Sequence, residues 1–312
     1  SYYDRYTREE EKLVSYKEKG GFYRHIYSLP CRWRRAKYHD KVVRAYQQGF
    51  DAPALLNNSE VIVSLTTFPP RISQLHLVLK SILWQTYVPA DIIVWLSEQE
   101  FPGRLNDLPE ELRKLTANGV KFKFVPENFR SHKKYYYVFR EYPDHKVITV
   151  DDDLIYPRNT IERLLSLSYQ YPGTVCGNVI RKIRMDGNTF SVYRKWPKVF
   201  MMPVNSSLQN VAIGCGGIYY PSRWYGEELF DWKIISEHCP SADDLWLKAN
   251  ELKRRINVTG GGEFYPRPIE LPQTQNNSLQ KKNNGKINLN DKQWKSLNEL
   301  WKLDELYCIN GK

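Results

Sequence analysis

The sequence has no apolar run approaching the roughly 18 residues that a helix needs to cross a bilayer, and no stretch reads as a signal peptide. A spanning segment is therefore not expected. The chain opens on Ser rather than Met, which leaves room for a preceding anchor. Cysteine is scarce: five residues, at 31, 176, 215, 239 and 308, with no Cys-x-x-Cys spacing. An odd number without paired spacing excludes a disulfide scaffold and a zinc knuckle, and a reducing compartment accounts for it. No internal repeat appears. Acidic residues are almost missing between Lys19 and Arg44, where Asp40 stands alone against Lys19, Arg24, Arg32, Arg34, Arg35, Lys37, Lys41 and Arg44.

What is present supports a folded enzyme-sized chain. The 312 residues are 41% apolar, enough for a core, and 14% aromatic. Aromatic faces suit sugars, but also ordinary cores and interfaces. The net charge of +11 attracts phosphate, whether on nucleic acid, anionic lipid or a nucleotide sugar. A solvated basic face is the ordinary alternative for the N-terminal run.

Residues 1–50 read as helical and charged, with Trp33, Ala36, Val43 and Tyr46 on one stripe, and 49–53 break the pattern. Buried strands are expected at 61–65, 92–96, 120–125 and 146–150, with helices at 74–85, 109–117 and 133–142 between them. This alternation implies an α/β fold around a mostly parallel sheet, which binds ligands beyond the carboxyl ends of its strands. Further on, 161–168 reads as helix, 174–183 and 189–193 as strands, and 241–251 as a helix capped by Ser241. Residues 259–290 read as a long loop, and Asn290 as the cap of a last helix striped by Trp294, Leu297 and Trp301.

The strongest chemical signal is Val-Ile-Thr-Val-Asp-Asp-Asp-Leu-Ile-Tyr-Pro at 147–157. Three adjacent carboxylates repel one another and are costly to desolvate. At the end of a buried strand they need a counter-charge, which a hard divalent ion shared with substrate phosphates would supply. A solvated acidic turn is the competing account, and the apolar strand before the triplet argues against it.

This segment resembles the Asp-x-Asp motif of GT-A-fold nucleotide-sugar glycosyltransferases. The resemblance spans roughly 60–250. It includes VSLTTFPPRI, a helix with Leu-Lys-Ser-Ile-Leu-x-Gln, DIIVWLS, Lys133-Lys134 before the acidic triplet, a Gly-rich segment and Ala242-Asp243-Asp244-Leu245-Trp246. Its style is that of bacterial enzymes that build surface polysaccharides. The resemblance implies a GT-A sheet flanked by helices, with helical N- and C-terminal extensions. The divisions would be a basic extension over 1–58, a catalytic domain over 59–258, and a C-terminal loop and amphipathic helix over 259–312. It implies a metal-dependent transferase, using Mn²⁺ or Mg²⁺, that moves a sugar from a UDP-type donor to a saccharide or lipid-linked saccharide in capsule or lipopolysaccharide synthesis.

Residue by residue, the resemblance places Thr66, Thr67 and Arg71 around the nucleotide, Ser97 or Glu98 toward the base, and Lys133 or Lys134 at the phosphates. Asp151 would touch the ribose, Asp152 would lie within the donor site, and Asp153, with Asp151, would hold the metal. Gly216 and Gly217, in the run 214–217, would let backbone approach the sugar closely. Asp244, with Asp243 as the fallback, would be the general base of an inverting displacement. N-terminal capping is the competing role for that acidic pair.

One departure concerns the extra metal-ligating histidine that many such enzymes carry near the C-terminus. The last histidine here is His238, and only Asn276, Asn277 and Asp291 are offered beyond it. A carboxylate-metal phosphotransferase or phosphatase is the alternative enzyme. A basic module for membrane or nucleic acid explains the N-terminal charge but not the acidic clusters. We expect no nucleic-acid partner and a cytoplasmic protein, with the basic arm touching the inner face of the membrane.

Overall fold

The computed structural model describes residues 1–19, 27–48, 55, 59–199, 204–260, 268–271 and 288–308. Two long helices, Tyr2–Lys19 (α1) and Ser28–Gln47 (α2), pack against each other. Arg34 reaches Glu9 at 3.0 Å, and Arg35 pairs with Glu10. Helix α2 buries Cys31, Val42, Val43 and Tyr46. Trp33, expected on the buried stripe, lies outside and is 67% exposed. The breaker expected at 49–53 falls outside the described residues.

The alternating pattern folds as expected into Val61–Thr66 (β1), Leu75–Leu83 (α3), Asp91–Ser97 (β2), Glu110–Lys114 (α4), Val120–Val125 (β3), Lys133–Glu141 (α5) and Lys146–Thr149 (β4). Side chains alternate across the sheet. Ile62, Ile93 and Val147 therefore join one apolar cluster, while Val61, Val63, Ile92, Val94 and Ile148 join the other, and both faces are covered.

The later elements are Leu154–Ile155 (β5), Thr160–Gln170 (α6), Val175–Gly177 (β6), Ile180–Lys182 (β7), Met185–Asp186 (β8), Thr189–Phe190 (β9), Lys198–Val199 (β10), Val204–Ser207 (β11), Asn210–Ala212 (β12), Ile218–Tyr220 (β13), Trp232–His238 (α7), Asp243–Arg254 (α8), Val258–Gly260 (β14), Ile269–Glu270 (β15), Leu289–Trp301 (α9) and Leu303–Cys308 (α10). The central sheet has the order β11-β14-β6-β13-β4-β1-β2-β3. Strands β4, β1, β2 and β3 are parallel, β6 and β14 run with them, and β13 and β11 are reversed. The result is the expected mostly parallel α/β sheet flanked by helices, with a helical N-terminus.

Several local expectations fail for identifiable reasons. The strand read over 174–183 is split: β6 belongs to the central sheet and β7 to a small sheet with β10 and β12. Strand β14 lies where a Gly-rich loop was read to begin. A Cβ on Gly260 would stand 2.6 Å from Ile180 Cγ1, so glycine here serves close packing. Helix α8 begins after Ala242, which offers no side-chain cap, and the Ser241 backbone bonds Gln293 Oε1 at 2.9 Å instead. Asn288, not Asn290, caps α9 by accepting from the Asp291 N–H at 3.2 Å. All five cysteines carry free thiols. Among the described residues, no helix is long and apolar enough to cross a membrane.

Candidate active site

The parallel strands β1, β2 and β4 end on the same edge of the sheet. Register pairs Ile218 of β13 with Thr149 of β4, so the run 214–217 enters the sheet there, beside the start of the acidic triplet. Helix α5 is tied to the same edge, because Ser64 Oγ donates to the Lys134 carbonyl at 2.6 Å. The N-terminus of α8 completes the site. Residues about 180 positions apart in the chain thus meet around one acidic cluster.

One half of the cluster is built on β1. Thr67 Oγ1 donates to Asp152 Oδ2 at 2.6 Å, and Arg71 pairs with the other oxygen of Asp152. The same guanidinium reaches Asp153 Oδ2 at 3.0 Å. Burial pushes both carboxyls up against the pull of Arg71, Asp153 to about 7. The neighbouring carboxylates Asp152, Asp151 and Glu270 add to the rise at Asp153.

The other half is built on Lys134. Its Nζ lies 3.0 Å from Asp151 Oδ1 and 2.7 Å from Asp243 Oδ2. Burial opposes this charge, but Asp151, Asp243 and Asp244 hold the ammonium protonated well above the usual lysine range. Burial also works against the Asp243 carboxylate, yet Lys134 and His132 keep it below its ordinary value. Asp244 differs: burial, and then the adjacent Asp243, push it up to about 7. Its Oδ2 accepts the Gly214 N–H at 3.0 Å, while its buried Oδ1 has no hydrogen-bond partner among the described residues. Neither acid has a side-chain capping bond to α8.

The remaining residues singled out from sequence are placed as follows. Thr66 donates to the Trp95 carbonyl at 2.7 Å, a bond within the sheet. Lys133 is buried against Glu100 Oε2 and Asn128 Oδ1, at 3.2 and 3.0 Å, rather than against the triplet. Ser97 Oγ accepts the Gln99 N–H, and Glu98 pairs with Arg104. Gly216 packs on Val179, and Gly217, at φ 77°, faces Thr160 and Leu164. Gly214 is the glycine at the cluster, since a Cβ there would stand 2.9 Å from Asp151 Oδ1 and 3.1 Å from Lys134 Nζ. Tyr156 is also part of the site, because its hydroxyl accepts the Asp151 N–H at 2.8 Å. Its place in the motif, five residues past Asp151, was the available signal.

Cys215 is no nucleophile. Burial and then Asp151 push its thiol up to about 12. His238 bonds Ser296 Oγ at 2.8 Å, and Asp291 accepts the Tyr193 N–H, so both serve the packing of α9. Asn276 and Asn277 lie outside the described residues. Among the described residues, no three His, Cys, Asp or Glu side chains converge as a metal cage.

No protein-family model and no curated protein matches this sequence. Solved structures do resemble its chain path. S. aureus TarS (residues 1–349) in complex with UDP is 13% identical, with a TM-score of 0.44, over 66% of this chain and 59% of that one. The mannosyltransferase PcManGT from Pyrobaculum calidifontis, in complex with GDP-Man and Mn²⁺, is 14% identical, with a TM-score of 0.38, over 73% and 64%. A CMP:2-keto-3-deoxy-manno-octonic acid synthetase complexed with CTP is 12% identical, with a TM-score of 0.37, over 72% and 96%. The chain thus spans less than two thirds of the length of the TarS and mannosyltransferase structures it resembles. At these values none of them bears on what this chain does.

Proposed function

We propose that this chain is a glycosyltransferase that moves a sugar from a nucleotide-diphosphate donor, of the UDP type, to a hydroxyl of a saccharide acceptor. The observation that carries this reading is the charge balance at the sheet edge. Five carboxylates, Asp151, Asp152, Asp153, Asp243 and Asp244, gather around two cations, Arg71 and Lys134. The excess of negative charge fits a divalent cation. The donors are all oxygen, which suits Mg²⁺ or Mn²⁺. Asp153 and Asp151 would hold the ion, and the donor diphosphate and water would supply the rest. When bound, the ion would act as the Lewis acid for the departing diphosphate.

The chain's own residues have distinct tasks. Arg71 and Thr67 orient Asp152 and keep the triplet in place. Lys134 would hold Asp151 toward the donor and favours the ionised form of Asp243. Of the pair that opens α8, Asp244 is then the acid that exchanges a proton near neutrality. Its Oδ1 is free of intramolecular bonds among the described residues and would accept the acceptor hydroxyl proton. A base on that side implies direct displacement with inversion. Gly214 leaves room beside Asp151, where a Cβ would stand 2.9 Å from Asp151 Oδ1 and crowd Lys134 Nζ.

The test is calorimetric titration of UDP-sugars with and without Mn²⁺. We expect metal-dependent binding that Asp153→Asn loses while its fold is retained. Equal affinity in EDTA, or in Asp153→Asn, would overturn the metal assignment.

A further inference from the structure

The exposed side of α2 has an arrangement that neither the core nor the acidic site explains. At about 100° per residue, Leu29, Trp33, Ala36, Lys37, Asp40 and Arg44 share one side of this helix. All six are exposed, and the other side, with Cys31 and Tyr46, is buried. Leu29 is 62% and Trp33 67% exposed, one turn apart. Scattered apolar residues on a surface need no account, but an aligned apolar ridge does. Cations frame this ridge: Lys37 lies 5.4 Å from the Trp33 ring centre, and Arg32 and Arg44 are exposed nearby. Over 27–48 six cations face one acid, Asp40. Arg34 and Arg35 are paired with the buried Glu9 and Glu10 of α1, which leaves Arg32, Lys37, Lys41 and Arg44 beside Asp40.

The hairpin is also braced against the acidic site. Tyr3 donates its hydroxyl proton to the carbonyl of Ile155, two residues past Asp153, at 3.3 Å. His39 Nε2 lies 2.9 Å from the carbonyl of Glu270, which β15 pairs with Leu154. The Leu271 N–H donates to the Asp153 carbonyl at 3.0 Å, continuing the same strip of backbone.

We propose that α2 docks on an anionic lipid bilayer, with Leu29 and Trp33 entering the interface and Arg32, Lys37 and Arg44 meeting the headgroups. An amphipathic helix of this kind lies in the interfacial plane with its apolar side buried in the headgroup region. The apolar ridge between cations favours a bilayer over nucleic acid, whose phosphates would engage the cations and leave Leu29 and Trp33 in water. Because the hairpin is braced on the strands beside Asp153, docking brings the acidic site to the membrane surface. Within the proposed function, this identifies the acceptor as a saccharide carried on a lipid; the docking itself does not depend on that function.

Flotation of the full chain with phosphatidylglycerol-rich vesicles, and with neutral phosphatidylcholine vesicles, tests the proposal. Binding is expected to the anionic vesicles only, and to fall as salt rises. Leu29→Ser with Trp33→Ser should weaken it tenfold or more, and Lys37→Gln about fivefold, as expected for one cation near an anionic surface. UDP-sugar affinity should be unchanged in these variants, since none touches the donor site, and that measurement separates failure here from failure of the catalytic reading. No flotation with anionic vesicles, or equal flotation by the double variant, would overturn the proposal. So would dimerisation in solution that the double variant abolishes, or tighter binding to duplex nucleic acid than to the vesicles.

Discussion

Helix α8 carries two buried charge clusters, one at each end, and they are balanced differently. Toward its C-terminus, Lys248 Nζ lies 3.2 Å from Glu251 Oε2, and Tyr225 donates to Glu251 Oε1 at 3.2 Å. Lys248 and Glu251 are buried, one cation faces one anion, and the pair is enclosed by the core. At its N-terminus, Asp243 and Asp244 join three further carboxylates around Lys134 and Arg71. The first cluster sets one cation against one anion, so its charge closes within the helix. The second sets five carboxylates against two cations, and this excess of negative charge is what the first lacks. The same type of residue on one helix thus closes its charge at one end and leaves it open at the other, and the open end is where the proposed function places the chemistry.

The largest expected effect breaks the closed pair. Lys248→Met leaves Glu251 buried and uncompensated and should cost about 3–5 kcal/mol in denaturant unfolding, with donor affinity unchanged in the folded protein. Adding Glu251→Gln, which keeps an acceptor for Tyr225, should recover most of that loss. A small cost for Lys248→Met alone would show that the pair is hydrated and that the contrast is false.

Next in size is Asp244→Asn, which should lower kcat on the order of 10²-fold with little change in donor affinity. Normal turnover, or a product that keeps the donor's anomeric configuration, would remove Asp244 as the base.

The smallest effect sharpens the comparison through pH. Asp153 and Asp244 have folded pKa values raised to about 7, so between their unfolded values and 7 the folded state binds more protons than the unfolded state. Stability from these groups is therefore present at low pH and lost as pH rises through about 7. The melting temperature of the metal-free protein should fall between about pH 5 and 8, and Asp153→Asn should flatten that slope. Over the same range kcat/KM should rise, because the base must be deprotonated. A melting temperature that rises toward pH 8, or an unchanged slope in Asp153→Asn, would mean that the acidic end is as well compensated as the Lys248 end.

The first half of the fold was legible because its strands are continuous apolar runs and its helices keep a 3.6 period; β3 spans the expected 120–125, and β1, β2 and β4 differ from expectation by about one residue at an end. The place of the acidic triplet at the end of a buried strand was legible because the Asp run directly follows the apolar Val-Ile-Thr-Val. Short elements such as β12 and β14 were not, since three residues carry no period.

The sequence by itself determined the strand–helix alternation, the position of the triplet at a strand end and the acidic pair opening α8, because each is a local pattern with a local cause. Tertiary structure alone decided which neighbour does what. Lys134 rather than Lys133 meets the acids because the two adjacent side chains of α5, both buried, diverge: one toward Asp151 and Asp243, the other toward Glu100 and Asn128. Gly214 rather than Gly216 or Gly217 faces them, through the entry into β13. Asp243 is paired while Asp244 is not, because only Asp243 forms an ion pair with the Lys134 ammonium of α5. Trp33 faces outward because the α1–α2 contact, fixed by Glu9 and Glu10, claims the opposite side of its helix. Each of these depends on distances of about 3 Å between residues far apart in the chain, and a periodic pattern does not encode such distances.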